Sequence, residues 1–156
     1  MDDVASTLPV SEIIGAVACL IFSAFFSGAE TALTSLPDTR AWQLMDSDPK
    51  RYGLFSFWLN SKKRIVTDLL VFNNLMNVIC SILIYRIFRW AIPDYAEAIS
   101  ILCATLAILI LSEMTPKTLA LYYAKGIAIP ALRIIWVLDK MVWIITAPLA
   151  KIPNLF

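Results

Sequence analysis

Three long apolar stretches run through the chain, at about residues 10–36, 65–90 and 96–116. A helix needs roughly 20 mainly apolar residues to cross the hydrocarbon core of a bilayer, and each stretch reaches that length. Lipid offers no hydrogen-bond partners to the backbone, so a single apolar segment crosses it as a helix. The pattern predicts an all-α, polytopic membrane protein with three transmembrane helices.

Two other stretches mix apolar with charged positions. Residues 37–63 combine acidic and basic side chains with several aromatic ones, which is typical of helices in the membrane interface. Residues 127–149 are apolar enough for a fourth span, yet they carry Arg133 and Lys140 on one helical face and tryptophans on another. We predict that both stretches form juxtamembrane amphipathic helices.

Basic residues are distributed unequally around the predicted spans. The segment before the first span has no Lys or Arg, whereas residues 37–64 contain six. The positive-inside rule therefore predicts that this loop is cytoplasmic, with the N-terminus outside and the C-terminus inside. We expect the membrane to be a plasma membrane or a bacterial-type inner membrane.

The composition agrees with lipid as the solvent and narrows the chemistry. Of 156 residues, 60% are hydrophobic and 16% charged, and the mean hydropathy is +0.75. The net charge of +1 gives no reason to expect nucleic acid as a partner. The absence of histidine removes the commonest zinc and copper ligand and the usual catalytic base, so an enzyme is not expected. An ion site here must be built from oxygen.

The first span carries a polar stripe, formed by Ser23, Ser27, Thr31 and Thr34 at helical spacing, with Gly28 beside it. Such hydroxyls often bond the carbonyls of their own helix, and small residues often mark a packing face. For the serines alone, packing and a binding site explain the pattern equally well.

The second span contains three asparagines, Asn73, Asn74 and Asn77, of which the first and third share a helical face. An asparagine between membrane helices often serves as hydrogen-bonding glue, worth about 1 kcal/mol. Three of them within five residues exceed what such packing requires.

The third span ends in a carboxylate, Glu113, three residues before Pro116. A carboxylate inside a membrane is costly and is by default a functional residue. Proline has no N–H, so in a regular helix the carbonyl of Ser112 would lack its donor. A free carbonyl beside a carboxylate suits a cation.

Depth links the three clusters. Ser27, Asn73 and Glu113 each lie roughly 15–17 residues from the predicted outer end of their span, which is about 22–26 Å along a helix. Their convergence at one level predicts a binding site better than three unrelated packing motifs do. Hydroxyl, amide, carbonyl and carboxylate oxygens are the ligands of hard cations such as Mg²⁺ and Ca²⁺.

With these motifs the chain resembles the transmembrane domain of the CNNM/CorC (cyclin M, CorB/CorC) magnesium transporter family. The resemblance rests on FSGAETAL at 26–33, LLVFNNLMNV at 69–78 and SEMTPKTLA at 112–120. It implies a homodimer of three-span domains with a Mg²⁺ pocket in each protomer. The implied metal ligands are Ser23, Ser27, Gly28 through its carbonyl, Asn73 and Glu113, with Asn74 and Asn77 as further candidates.

The chain departs from the family pattern at Phe72 and Ser112, where family members commonly have glycine. Family members also carry cytoplasmic CBS-pair domains that bind nucleotide, and no such domain is found before Phe156. We therefore expect the chain to be the transmembrane part of a longer protein.

The resemblance implies export of Mg²⁺ in exchange for Na⁺, although no residue identifies a sodium site. One alternative is a passive or less selective pathway for divalent cations. Another is a membrane anchor and dimerisation module for cytoplasmic regulatory domains, in which the polar clusters serve only as interhelical glue.

Overall fold

A computed structural model describes residues 8–149, with side chains described for residues 8–140, and this part of the chain is helical without strands. Helix α1, Val10–Ser35, has 26 residues and follows Pro9. Its length at 1.5 Å per residue exceeds the thickness of the hydrocarbon core. It is the first of three helical segments in the described residues that are long and apolar enough to cross a membrane.

The helix of the second span begins about ten residues earlier than predicted, within the stretch 37–63. After two short helices, α2 (Asp38–Ser47) and α3 (Pro49–Tyr52), a single helix α4 runs over Leu54–Ala91. It bends at Ser61, whose φ of −132° is not helical. The predicted boundary near residue 64 is therefore a kink within one helix rather than a break between two elements.

The third span is built from four consecutive pieces. A 3₁₀ turn, Pro93–Tyr95, leads into α5, Ala96–Ala107. A π-helical turn, Ile108–Met114, follows and passes directly into α6, Thr115–Tyr122. The helix thus continues beyond Pro116, which lies in the first turn of α6, where its missing N–H is tolerated.

The last helix, α7 (Ala124–Leu149), packs against α1 and α4. It buries small and aliphatic side chains there, among them Ala128, Ala131 and Leu132. Buried Asp139 pairs with Arg64 of α4, with 2.6 Å between Oδ2 and Nη2. These contacts attach α7 to the spanning helices, while its interfacial position stays a prediction.

Two apolar clusters pack the bundle. The large core joins α1, α2, α4 and α7 around Phe55, Ile65 and Leu132. The cysteine cluster joins α1, α4 and α5 and consists of Ala16, Cys19, Cys80, Ile84 and Ala104. The polar residues singled out in the sequence lie along the same helices between these clusters.

Candidate cation site

A serine hydroxyl of α1 meets two amide oxygens of α4. Ser23 is fully buried, and its Oγ lies 2.6 Å from Oδ1 of Asn73 and 2.6 Å from Oδ1 of Asn77. A hydroxyl has one proton, so Ser23 can donate to only one of these oxygens. Three oxygen atoms therefore converge with one proton among them, an arrangement that a cation would stabilise.

The carboxylate of the third span joins this group through Asn77. The amide nitrogen Nδ2 of Asn77 donates a hydrogen bond to Oε1 of Glu113 at 3.1 Å. Glu113 is half-buried and lies on the π-helical turn. A π-helical turn holds one more residue than an α-helical turn, and such turns are frequent at functional sites because they change the direction in which side chains point. We call Ser23, Asn73, Asn77 and Glu113 the oxygen cluster.

One turn further along α1, Ser27 is also fully buried, and its Oγ has no hydrogen-bond partner in the described part of the protein. A buried hydroxyl without a partner is destabilising by about 1–3 kcal/mol. It could have bonded a carbonyl of its own helix, as the next two members of the stripe do. Thr31 donates to the carbonyl of Ser27, and Thr34 to that of Glu30.

Gly28 lets α1 approach the third span closely. A Cβ added at Gly28 would lie 3.5 Å from Cβ and 3.6 Å from the carbonyl oxygen of Pro116. These are ordinary contact distances, so the backbone of α1 rests directly on α6 three residues beyond Glu113. The contact brings Ser27 and Gly28 to the level of the carboxylate.

The π-helical turn changes the hydrogen bonding expected around Pro116. The N–H of Thr115 bonds the carbonyl of Ile110, five residues back. In that register a proline at 116 deprives Leu111 of a donor, whereas the α-helical expectation named Ser112. Ser112 instead acts through its side chain, since its buried Oγ donates to the carbonyl of Leu20 on α1 at 3.2 Å.

The asparagines divide into two groups. Asn73 and Asn77 face α1, whereas Asn74 is exposed and its Nδ2 donates to the carbonyl of Leu70 in its own helix. Asn74 therefore lies outside the oxygen cluster. Asn77 belongs to it, because it contacts both Ser23 and Glu113. The spacing of four between Asn73 and Asn77 was the signal that separates them from Asn74.

The oxygen cluster has one formal charge, that of Glu113, and neutral donors around it. In the part of the chain with described side chains, no three Cys, Asp or Glu residues are grouped so that they could hold a metal ion. A site here would therefore be of the hydroxyl, amide and carboxylate kind, which favours hard cations over soft ones.

Comparison of the sequence with known proteins identifies one family. Residues 14–156 match the family described as the cyclin M transmembrane N-terminal domain (CNNM). A UPF0053 protein of Haemophilus influenzae is 30% identical over 151 residues, covering 96% of this chain and 35% of that protein. A putative chloroplastic DUF21 domain-containing protein of Arabidopsis thaliana is 30% identical over 111 residues, covering 71% of this chain and 17% of the relative.

The UPF0053 inner membrane protein YfjD of Escherichia coli is 27% identical over 129 residues, covering 80% of this chain and 30% of that protein. The chain thus spans about a third or less of the length of these relatives. The matching region is in each case part of a longer protein.

Proposed function

This chain belongs to the CNNM (cyclin M) transmembrane domain family, and on that premise we propose that it moves Mg²⁺ across the membrane through the oxygen cluster. One observation carries the proposal: the fully buried Ser27 hydroxyl has no hydrogen-bond partner among residues 8–140, and it lies one turn from the oxygens gathered around Ser23. Interhelical glue would satisfy its polar groups, whereas a ligand set keeps lone pairs available.

The proposed ligands divide by helix. The hydroxyls of Ser23 and Ser27 and the carbonyl of Gly28 come from α1, Oδ1 of Asn73 from α4, and the carboxylate of Glu113 from the π-helical turn. Asn77 orients Glu113 through the 3.1 Å bond from its Nδ2. Mg²⁺ takes about six oxygens at 2.0–2.1 Å, so this set needs little or no retained water.

Direction requires an energy source. An inside-negative potential of about 100 mV favours entry of a divalent cation by about 4.6 kcal/mol, twice the value for one charge. Export against this potential needs coupling, and we propose exchange for Na⁺. We propose that the ion is carried by a binding site and not through an open pore, since the cysteine cluster packs tightly along the same helices.

The test is transport by the full-length protein reconstituted in liposomes that contain a Mg²⁺-sensitive dye. Flux that rises with an opposing Na⁺ gradient supports coupled exchange. Flux that is equal without Na⁺ and is shared by Ca²⁺ and Mn²⁺ would indicate a less selective divalent-cation pathway. Absence of both flux and Mg²⁺ binding would leave the domain as an anchor.

Orientation and assembly belong to the same proposal. We propose that Lys62 and Lys63 face the cytoplasm, that Asp94 lies outside, and that the domain forms a homodimer. Single cysteines introduced at Lys62 and Asp94 should react with an impermeant thiol reagent from opposite sides of the membrane. The mass of the detergent-solubilised particle measures the assembly, and a monomer would contradict the dimer.

A further inference from the structure

A groove runs along the outside of the bundle between α4 and α5 and adjoins the oxygen cluster. Its larger part has a volume of about 510 Å³ and is lined by Tyr85, Glu97 and Ser100, among others. A second cavity of about 260 Å³ is lined by Glu113 at the π-helical turn. Ser81 and Thr105 line both, so the two spaces share a wall and follow one another along the helices.

Several polar groups in this groove have unused hydrogen-bonding capacity. The side-chain hydroxyl of Thr105 makes no hydrogen bond in the described part of the chain, although those of Thr31, Thr34 and Thr118 all bond carbonyls of their own helices. A hydroxyl facing lipid would be expected to do the same, because hydrocarbon offers no partner. Tyr85 and Glu97 likewise form no side-chain hydrogen bond or ion pair among the described residues.

The two ends of the groove each carry a carboxylate. Glu97 is exposed in the first turn of α5, at the end of the span predicted to lie outside, and Glu113 belongs to the oxygen cluster. Their separation of sixteen positions in the sequence corresponds to about 24 Å of helix, most of the thickness of the hydrocarbon core. The groove therefore extends from the predicted outer surface to the proposed binding site.

We infer that this groove is the outer route of the transported ion, in which a hydrated divalent cation moves between Glu97 and Glu113. The inference rests on the proposed function. A volume of 510 Å³ accommodates several waters at about 30 Å³ each, so the cation keeps part of its hydration shell there. Tyr85, Ser100 and Thr105 supply oxygens to that water, and Glu97 raises the local concentration of cations.

The experiment measures the accessibility of a thiol placed in the groove. In the intact protein in membrane vesicles, Thr105→Cys is combined with Cys103→Ala and treated from outside with a charged methanethiosulfonate. Such a reagent needs a hydrated thiolate. We expect Thr105→Cys to be modified, and Mg²⁺ at ten times its Kd to slow that modification about tenfold by occupying the route.

The parent protein is the matched control. It carries Cys103, which is exposed two residues away on the opposite face of α5, while Cys19 and Cys80 are buried. We expect Cys103 to stay unmodified because that face contacts lipid. Modification of Cys103 at the rate of Thr105→Cys would contradict a route confined to the groove, as would an unreactive Thr105→Cys.

A second variant separates this inference from the proposed function. Glu97→Gln should slow Mg²⁺ flux from the outer side while equilibrium Mg²⁺ affinity is unchanged, whereas Glu113→Gln should remove binding. Unchanged flux in Glu97→Gln, with binding still lost in Glu113→Gln, overturns the route and leaves the site. Full binding in Glu113→Gln overturns the site itself.

Discussion

The cysteine cluster and the oxygen cluster are both formed by α1, α4 and the third span, and they differ in how their contacts are made. In the cysteine cluster, Gly15 and Ala16 bring α1 against α4 so closely that a Cβ at Gly15 would be 3.0 Å from Cδ1 of Leu83. Its one polar contact, from Sγ of Cys80 to the carbonyl of Ala16 at 3.8 Å, is satisfied. About two turns further along α1, the Ser23 hydroxyl meets two amide oxygens, and the Ser27 hydroxyl has no partner in the part of the chain whose side chains are described.

The two clusters thus differ in whether their polar groups are satisfied by one another. Without water, membrane helices associate through close van der Waals contact and satisfied hydrogen bonds, as the cysteine cluster does. Ser23 and Asn73 of the oxygen cluster are buried as well, yet their oxygens meet with few protons among them, and the neighbouring Ser27 hydroxyl has no partner among the described residues. Such an arrangement costs stability in the absence of a ligand, which supports the proposed ion site over a purely associative role.

The largest expected effect comes from removing the charge of the oxygen cluster. Glu113→Gln keeps the size of the side chain and its contact with Asn77, so folding should be retained. Mg²⁺ affinity should fall by more than about 100-fold, since even groups that only orient a metal ligand contribute 10- to 100-fold. Titration calorimetry on the purified protein measures the change, with Cys103→Ala as a control that should bind normally. A Glu113→Gln protein that binds as the parent does would make the carboxylate structural.

A smaller effect separates the two serines of α1. Ser27→Ala removes a hydroxyl that bonds nothing, so thermal stability without Mg²⁺ should be unchanged or slightly higher, while affinity falls about tenfold. Ser23→Ala should lower both, because it also removes an interhelical hydrogen bond worth about 1 kcal/mol. Melting curves with and without Mg²⁺ separate the two cases. Equal loss of stability in both variants would contradict a special role for Ser27.

The course of the helices could be predicted from hydropathy, but their irregularities could not. The three apolar stretches correspond to the three segments that are long enough to span. The kink at Ser61 and the π-helical turn depend on how neighbouring helices pack, for which the local sequence carries no distinct signal. Proline at 116 suggested the end of a helix, yet the helix continues because the register changes just before it.

For the candidate site, the residue types could be predicted and their pairing could not. Periodicity correctly grouped Asn73 with Asn77, since both face α1, although on sequence alone Asn74 and Asn77 had equal standing as further candidates. The pair of Arg64 and buried Asp139 was not predicted, because nothing in the sequence indicates that α7 packs on α4. Contacts between distant helices decide such cases, and one sequence does not contain them.

A third, weaker effect is expected at the π-helical turn. Pro116→Ala supplies an N–H that can bond a carbonyl of the preceding turn, so the local geometry that presents Glu113 becomes more regular. Mg²⁺ affinity and flux should both fall, by less than in Ser27→Ala, while the protein stays folded. Calorimetry and liposome flux measure the two quantities. Unchanged affinity in a well-folded Pro116→Ala protein would exclude a contribution of this turn to binding.

The smallest expected effect uses the two glycines of α1, one in each region of the comparison. In Gly15→Ala the new Cβ meets only the flexible end of Leu83, so stability should change by at most about 1 kcal/mol and Mg²⁺ affinity should be unaffected. Gly28→Ala places its Cβ at ordinary contact distance from Pro116, so the fold should tolerate it equally well. Because the carbonyl of Gly28 is one of the proposed ligands, any small shift of the backbone that makes room for the new Cβ should nevertheless weaken Mg²⁺ binding. If both variants bind Mg²⁺ as the parent does, the missing Cβ at Gly28 serves helix packing, as at Gly15, and ion binding does not depend on it.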